Sequence, residues 1–202
     1  EQEAQIRLME HLHNHKGERS MVVLRPADGD ETVAAWKLAL EEHRPVALIL
    51  SRQNIKTLPV LSQSRRKEAM QISKGGYVVM DAAKPAAILV ADGSEVSTLV
   101  EGAQLLAEEG ISVRVVNVPS EGLFRDQPRS YQNTVLSAGI PRYGMTSGLP
   151  INLSGLVGED GYIHGLDHFG YSAPYKVLDE QFGYNGETVA EEVKELLGKK
   201  KK

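Results

Sequence analysis

The chain has 202 residues, 41% of them hydrophobic, which is enough for one large domain or two small ones around a buried core. A formal net charge of −4 gives no electrostatic reason to expect nucleic acid as the main partner, and the lack of cysteine excludes disulfides and thiolate-bound metal. Apolar runs such as Pro45–Leu50 and Ala86–Ala91 suit buried strands and are too short to cross a bilayer.

The opening Glu1-Gln2-Glu3-Ala4-Gln5 lacks the basic and apolar regions of a secretory signal, and the first residue is not methionine. The expectation is a soluble cytoplasmic protein from which something upstream has been removed. Glu1–His13 has Ile6, Leu8, Met9 and Leu12 at helical spacing. Met21–Leu24 is a short strand closed by Arg25-Pro26, because proline cannot donate to a ladder. A helix follows from Asp30, its expected N-cap, to His43, with Val33, Trp36, Lys37 and Leu40 as its apolar side. Val46–Leu50 is a fully apolar strand followed by Ser51-Arg52-Gln53-Asn54. The order strand, helix, strand makes a βαβ unit and so a parallel sheet.

Thr57–Lys84 is mixed and charged and is taken as a connection, with a small strand at Tyr77–Met80. Ala86–Ala91 opens a second βαβ unit, Ser94 is the expected cap of the helix after it, and Ile111–Val118 is the next strand. Ile140–Met145 has the look of an edge strand, Gly148–Gly161 of a glycine-rich loop, and Ile163–Leu166 of a last short strand. Ser172 should cap a helix with Pro174 in its first turn, Gly183 should stop it, and Thr188–Leu197 should form a terminal amphipathic helix. Lys199–Lys202 is expected to be a solvated tail. The predicted fold class is α/β, with two parallel-sheet-based units, the second a compact three-layer C-terminal domain. The expected division is 1–75, a linker at 76–85, and 86–202.

Arg52 sits just beyond a parallel strand's C-terminal end, where open α/β sheets bind ligands. Its guanidinium is either a phosphate ligand or a cation packed on a neighbouring carboxylate, and spacing alone leaves both open. His11, His13 and His15 alternate, but no carboxylate partner is fixed nearby, which favours a solvated helix end over a metal site. His164 and His168 with Asp167 have no nucleophile tied to them and are expected to pack or hydrogen-bond. Asp92-Gly93-Ser94-Glu95 opens a helix, yet its two carboxylates would repel an anion, so the turn is expected to be structural. Neither G-x-G-x-x-G after a strand nor G-x-x-x-x-G-K-[ST] occurs.

Several stretches taken together resemble the C-terminal section of transketolase: Val23-Leu24-Arg25-Pro26-Ala27-Asp28, Glu31-Thr32-Val33-Ala34-Ala35-Trp36-Lys37, Ala47-Leu48-Ile49-Leu50-Ser51-Arg52-Gln53-Asn54, Lys74-Gly75-Gly76-Tyr77-Val78, Gly93-Ser94-Glu95-Val96 and His168-Phe169-Gly170-Tyr171-Ser172-Ala173-Pro174. The resemblance implies that residues 1–75 are the later half of a pyrimidine-binding domain and that the rest is the smaller C-terminal domain. It implies transfer of a two-carbon ketol unit between sugar phosphates, with thiamine diphosphate as electron sink and Mg anchoring its diphosphate. It also implies a homodimer and matches Arg52 to the arginine that holds the substrate phosphate. The family's diphosphate–metal motif is absent, and the glutamate that activates the cofactor would lie upstream of Glu1. The resemblance therefore assigns this chain no catalytic, cofactor-binding or metal residue, and implies that it is inactive alone. Tyr143–Pro150 departs from the commonest bacterial pattern. Alternative readings are another thiamine-dependent enzyme, such as a deoxyxylulose-phosphate synthase or an oxo-acid dehydrogenase β subunit, or a non-catalytic subunit of a split transketolase.

Overall fold

A computed structural model describes residues 2–199. In the first unit, β1 (Val22–Leu24) pairs in parallel with β2 (Val46–Leu48), and α2 (Gly29–Glu41) makes the crossover. The N-cap of α2 is Asp28 rather than Asp30. Asp28 is in extended backbone and its Oδ1 accepts the Glu31 N–H at 2.8 Å, whereas Asp30 already lies in the first helical turn. Ala34 and Ala35 pack with Val22, Leu24, Ala69 and Ile72, the last from a 3-10 turn at Met70–Lys74. The stripe that periodicity marks as apolar faces outward instead: Val33, Trp36 and Leu40 are exposed, and Lys37 is in solvent near Glu41.

The opening helix α1 (Gln2–Met9) is shorter than predicted and is likewise reversed. Arg7 and Glu10 are buried while Leu8, Met9 and Leu12 are exposed, because charged groups, not the apolar ones, dock this segment. His11, His13 and His15 are exposed on the turn that follows.

The second unit has a sheet ordered β3-β5-β4-β6-β7, from β3 (Tyr77–Met80), β4 (Ala87–Ala91), β5 (Val113–Asn117), β6 (Arg142–Met145) and β7 (Tyr162–His164). All its pairings are parallel except β3 with β5. Tyr77–Met80 is thus an antiparallel edge strand of this sheet and not a free-standing piece of connection. Conversely, β6 is interior, between β4 and β7, with Tyr143 and Met145 fully buried; the edge belongs to β7.

Every residue of β4 is buried, as a central parallel strand covered on both faces requires. Leu89 and Ala91 point into one layer with α4 (Glu95–Glu108) and α9 (Gly186–Lys199). Ile88 and Val90 point into the other, with α5 (Glu121–Arg125), α6 (Arg129–Val135) and α7 (Ile151–Val157). The second unit is therefore three-layered, and the whole is an α/β fold.

Helix α7 occupies part of the predicted glycine-rich loop, its buried Leu153, Leu156 and Val157 filling the second layer. The short helix α3 (Arg65–Ala69) leads into the 3-10 turn. That turn ends at Gly75, whose φ of +76° and a Cβ that would sit 2.2 Å from the Phe124 backbone nitrogen admit no side chain. Helix α8 (Tyr175–Phe182) starts at Pro174 and ends at Gly183. Ser172 does not cap it; it lies two residues before the N-cap, which is Pro174. Residues 200–202 of the predicted basic tail lie outside the described residues.

Candidate functional site

Arg52 lies four residues beyond the end of β2, on the loop that the parallel pairing delivers to the second unit. It is exposed and has no hydrogen bond or ion pair among the described residues, so the alternative of packing on a carboxylate is not realised. With Gln53 it forms one wall of a cavity of about 490 Å³. The other wall is Ala173, Pro174, Tyr175 and Leu178, from the start of α8 and the strap before it. A neighbouring cleft of about 350 Å³ shares Gln53 and Tyr175 and reaches Lys56, which is paired with Glu101. The positive end of a helix and an unpaired guanidinium thus border one space, an arrangement suited to an anion.

Two buried polar networks hold these walls in register. In the first, Arg25 of the segment after β1 reaches the turn before α4: Nη1 lies 2.6 Å from Asp92 Oδ1 and 2.6 Å from Glu95 Oε2, and Nη2 donates to Ser147 Oγ at 2.9 Å. Arg7 also pairs with Asp92, and its Nε donates to Glu3 Oε1 at 3.1 Å. Burial alone would lower the Arg25 pKa, but Glu95, Asp92 and Glu3 together hold it above its ordinary value. Gly93 has φ of +58°, and a Cβ there would stand 2.7 Å from Arg25 Nε, so glycine leaves room for the guanidinium. The Asp92–Glu95 turn is therefore structural, as expected, and its carboxylates serve Arg25 and Arg7. Ser94, however, makes no capping hydrogen bond; it is in helical backbone itself.

In the second network, Glu31 Oε1 accepts from Tyr77 Oη at 2.6 Å and from Asn117 Nδ2 at 2.8 Å, and Oε2 accepts the Ala27 N–H. Arg65 donates to Tyr77 Oη at 2.7 Å and pairs with Asp28. Burial raises the Glu31 pKa, and the hydrogen bonds from Tyr77 and Ala27 counter it only in part. These residues were invisible as a site in the sequence, since the partners are 46 and 86 positions apart.

His164 is a hydrogen-bonding histidine. Its Nδ1 is 3.1 Å from Glu192 and its Nε2 is 2.9 Å from the Phe182 carbonyl oxygen, so acceptors face both nitrogens. Glu192 also accepts from Tyr143 Oη at 2.7 Å and Tyr162 Oη at 3.1 Å. Burial would lower the His164 pKa, yet Glu192 raises it overall; Glu192 is itself lowered despite its burial. His168 is exposed, with Nδ1 near the Phe169 carbonyl and its ring 5.5 Å from that of Phe182. Neither histidine has a nucleophile among its hydrogen-bond partners.

Among the described residues no three His, Asp or Glu side chains are grouped to hold a metal ion, and no helix is long and apolar enough to cross a membrane. The donor groups of the described residues therefore do not by themselves make a Mg centre in this chain. What it offers is one unpaired cation in a two-walled cavity.

Residues 2–57 match the pyrimidine-binding domain of transketolase, and residues 75–185 match the transketolase-like TK C-terminal domain. The transketolase of Geobacillus stearothermophilus is 38% identical over 195 residues, 95% of this chain and 29% of that protein. The structure of transketolase from Leishmania mexicana superposes with a TM-score of 0.83 at 34% identity, covering 98% of this chain and 27% of that one. The structure of Pichia stipitis transketolase in complex with sedoheptulose 7-phosphate does so with a TM-score of 0.80 at 35% identity, covering 92% of this chain and 26% of that one. The chain thus spans under a third of the length of these three relatives.

Proposed function

The chain belongs to the transketolase family, and from that premise we propose that it serves transfer of a two-carbon ketol unit between sugar phosphates by supplying the phosphate-holding Arg52. The observation that carries this is the exposed, unpaired guanidinium at the C-terminal mouth of a parallel strand, facing a cavity. Phosphate oxygens match the fork of guanidinium donors, and each charge-assisted bond is worth more than a neutral one.

Thiamine diphosphate supplies the electron sink for such a transfer, and in this proposal it and its Mg are held by polypeptide other than these residues. The work of this chain is to bind and orient the substrate's phosphate, which fixes the distance from that end to the reacting carbons. Alone it should bind sugar phosphate weakly and turn nothing over. The outward stripe of Val33, Trp36 and Leu40 supports assembly into a homodimer, since a contiguous apolar helix face left in water favours association.

Titration of ribose 5-phosphate into the 202-residue chain, followed by amide chemical shifts, tests the central point. Arg52→Ala should weaken binding about tenfold or more, as loss of a charge-assisted contact predicts. Equal affinity in the variant, or ketol transfer by the chain without added protein, would remove the proposed role.

A further inference from the structure

A cation on a loop grips an anion well only if the loop is held in place beforehand. Arg52 stands on a long one, since residues 49–64 run from β2 to α3 without helix or strand. The near end is fixed by the Ile49 N–H, which donates to the Leu24 carbonyl at 2.9 Å. Leu58 is the one buried residue of 49–64, packed with Ala27 in the apolar layer. Its N–H has no ladder or helix to join and donates instead to Asp28 Oδ2 at 3.1 Å. Asp28 is wholly buried; its Oδ1 caps α2, and Arg65 pairs with its charge. Farther along, the Glu68 carboxylate accepts the Leu61 N–H at 3.0 Å and the Ser62 N–H at 2.6 Å. The Lys56–Glu101 pair is exposed and fixes little. Parallel pairing explains the meeting: the turn after β1 and the loop after β2 leave the sheet at the same end.

We propose that Asp28 is a positioning residue for Arg52. It touches no substrate; by tying the Leu58 N–H to the cap of α2, it holds the stretch from Arg52 to Leu58 in one place, so that the guanidinium waits where a phosphate arrives. This rests on the proposed role of Arg52 and deepens it. A helix cap needs one oxygen, and Asp28 Oδ1 supplies it. Capping leaves unexplained why Oδ2 takes a backbone N–H from the loop thirty positions away. A carboxylate makes that bond about twice as strong as a neutral acceptor would.

Asparagine and serine both cap helices, so Asp28→Asn and Asp28→Ser keep α2 while withdrawing the carboxylate from Leu58. Inorganic phosphate is titrated into the 202-residue chain, followed by amide shifts, for the wild type, these two variants, Ile72→Ala and Arg52→Ala. Both Asp28 variants should weaken phosphate by about three- to tenfold, as expected of a guanidinium in place about a tenth to a third of the time. The Leu58 amide should lose its exchange protection and residues 50–57 should gain motion in nitrogen relaxation, while the α2 amides stay protected. Ile72→Ala cuts into the first unit's apolar core but leaves the Asp28 carboxylate alone, so it should bind phosphate as the wild type does. A merely structural role would weaken phosphate in Ile72→Ala as well. Wild-type affinity in both Asp28 variants, or an equal loss in Ile72→Ala, overturns the inference. Should a variant not fold, the wild type decides: order parameters of about 0.85 across residues 50–57 support the inference, and values below about 0.6 overturn it. Arg52→Ala separates the failures. If it spares phosphate, the assignment of Arg52 has failed and the positioning role with it; if it loses phosphate while the Asp28 variants do not, the present inference alone falls.

Discussion

The two units differ in what their interiors add to an apolar core. In the second unit a five-stranded sheet carries Leu89, Val115 and Tyr143 into one apolar layer and Ile88, Val90 and Val116 into another, so burial of hydrocarbon holds it together. In the first unit the strands are three residues long, α1 turns Arg7 inward and Glu10 just after it is buried, and α2 turns Glu31 inward while Trp36 and Leu40, at 52% and 82% exposure, face water. The first unit is fastened to the second by charges and hydrogen bonds as well as by Ala27 and Leu58, which enter the second unit's apolar layer, and it leaves Trp36 and Leu40 outside. Buried ion pairs are directional and intolerant of a missing partner, which suits a junction that has to align two walls of a site.

The comparison breaks most severely at Arg25. Arg25→Ala leaves Glu95 and part of Asp92 as buried carboxylates without their partner, at a cost of about 3 kcal/mol or more. Hydrogen exchange should show the loss concentrated in residues 2–57, with the β4 and β5 amides keeping their protection. Equal loosening of both units would mean that they share one cooperative core.

Acidity sharpens the contrast with a smaller effect. His164 is raised above 6.5 and Glu192 lowered below 4.5 by their mutual contact. The stabilisation from His164 is fully present below its ordinary pKa and is lost as pH rises through the raised value. That from Glu192 is present above 4.5 and is lost as pH falls through the depressed value. At the other junction, burial raises Glu3, Glu10 and Glu31 above 4.5, so their contribution is greatest in acid and is lost as pH rises through those raised values. Exchange measured from acid upward should therefore loosen the first unit's junction in one step, through Glu3, Glu10 and Glu31, and α9 on β7 in a second, at a pH above 6.5. His164→Gln should remove that second step; its persistence would exclude the His164–Glu192 pair as its source.

The smallest effect on the chain itself belongs to its outward face. Leu40→Glu should change stability by no more than about 0.5 kcal/mol, since the side chain touches little, but should lower the self-association seen by sedimentation. Sedimentation identical to that of the wild type would count against the homodimer.

Much of the architecture was legible because it is local. Ala86–Ala91 announces a strand buried on both faces, Gly183 ends its helix with φ of +75°, and the Ser51-Arg52-Gln53-Asn54 string puts a cation after a parallel strand. The errors have one origin. Helical periodicity shows that Val33, Trp36 and Leu40 share a side but not what that side meets, and nothing within Ile140–Met145 reveals that β7 will pair outside it.

The sequence by itself determined the α/β class, the two-unit order and Arg52 as the residue to watch, because these depend on neighbours within a few positions. Only the tertiary structure decided that Arg25 meets Asp92, that Glu31 meets Tyr77 and Asn117, and that Tyr175 stands across from Arg52. Charge and hydrogen-bond pairing over such separations leaves no periodic trace along the chain; it exists once the sheets have brought the strand ends together.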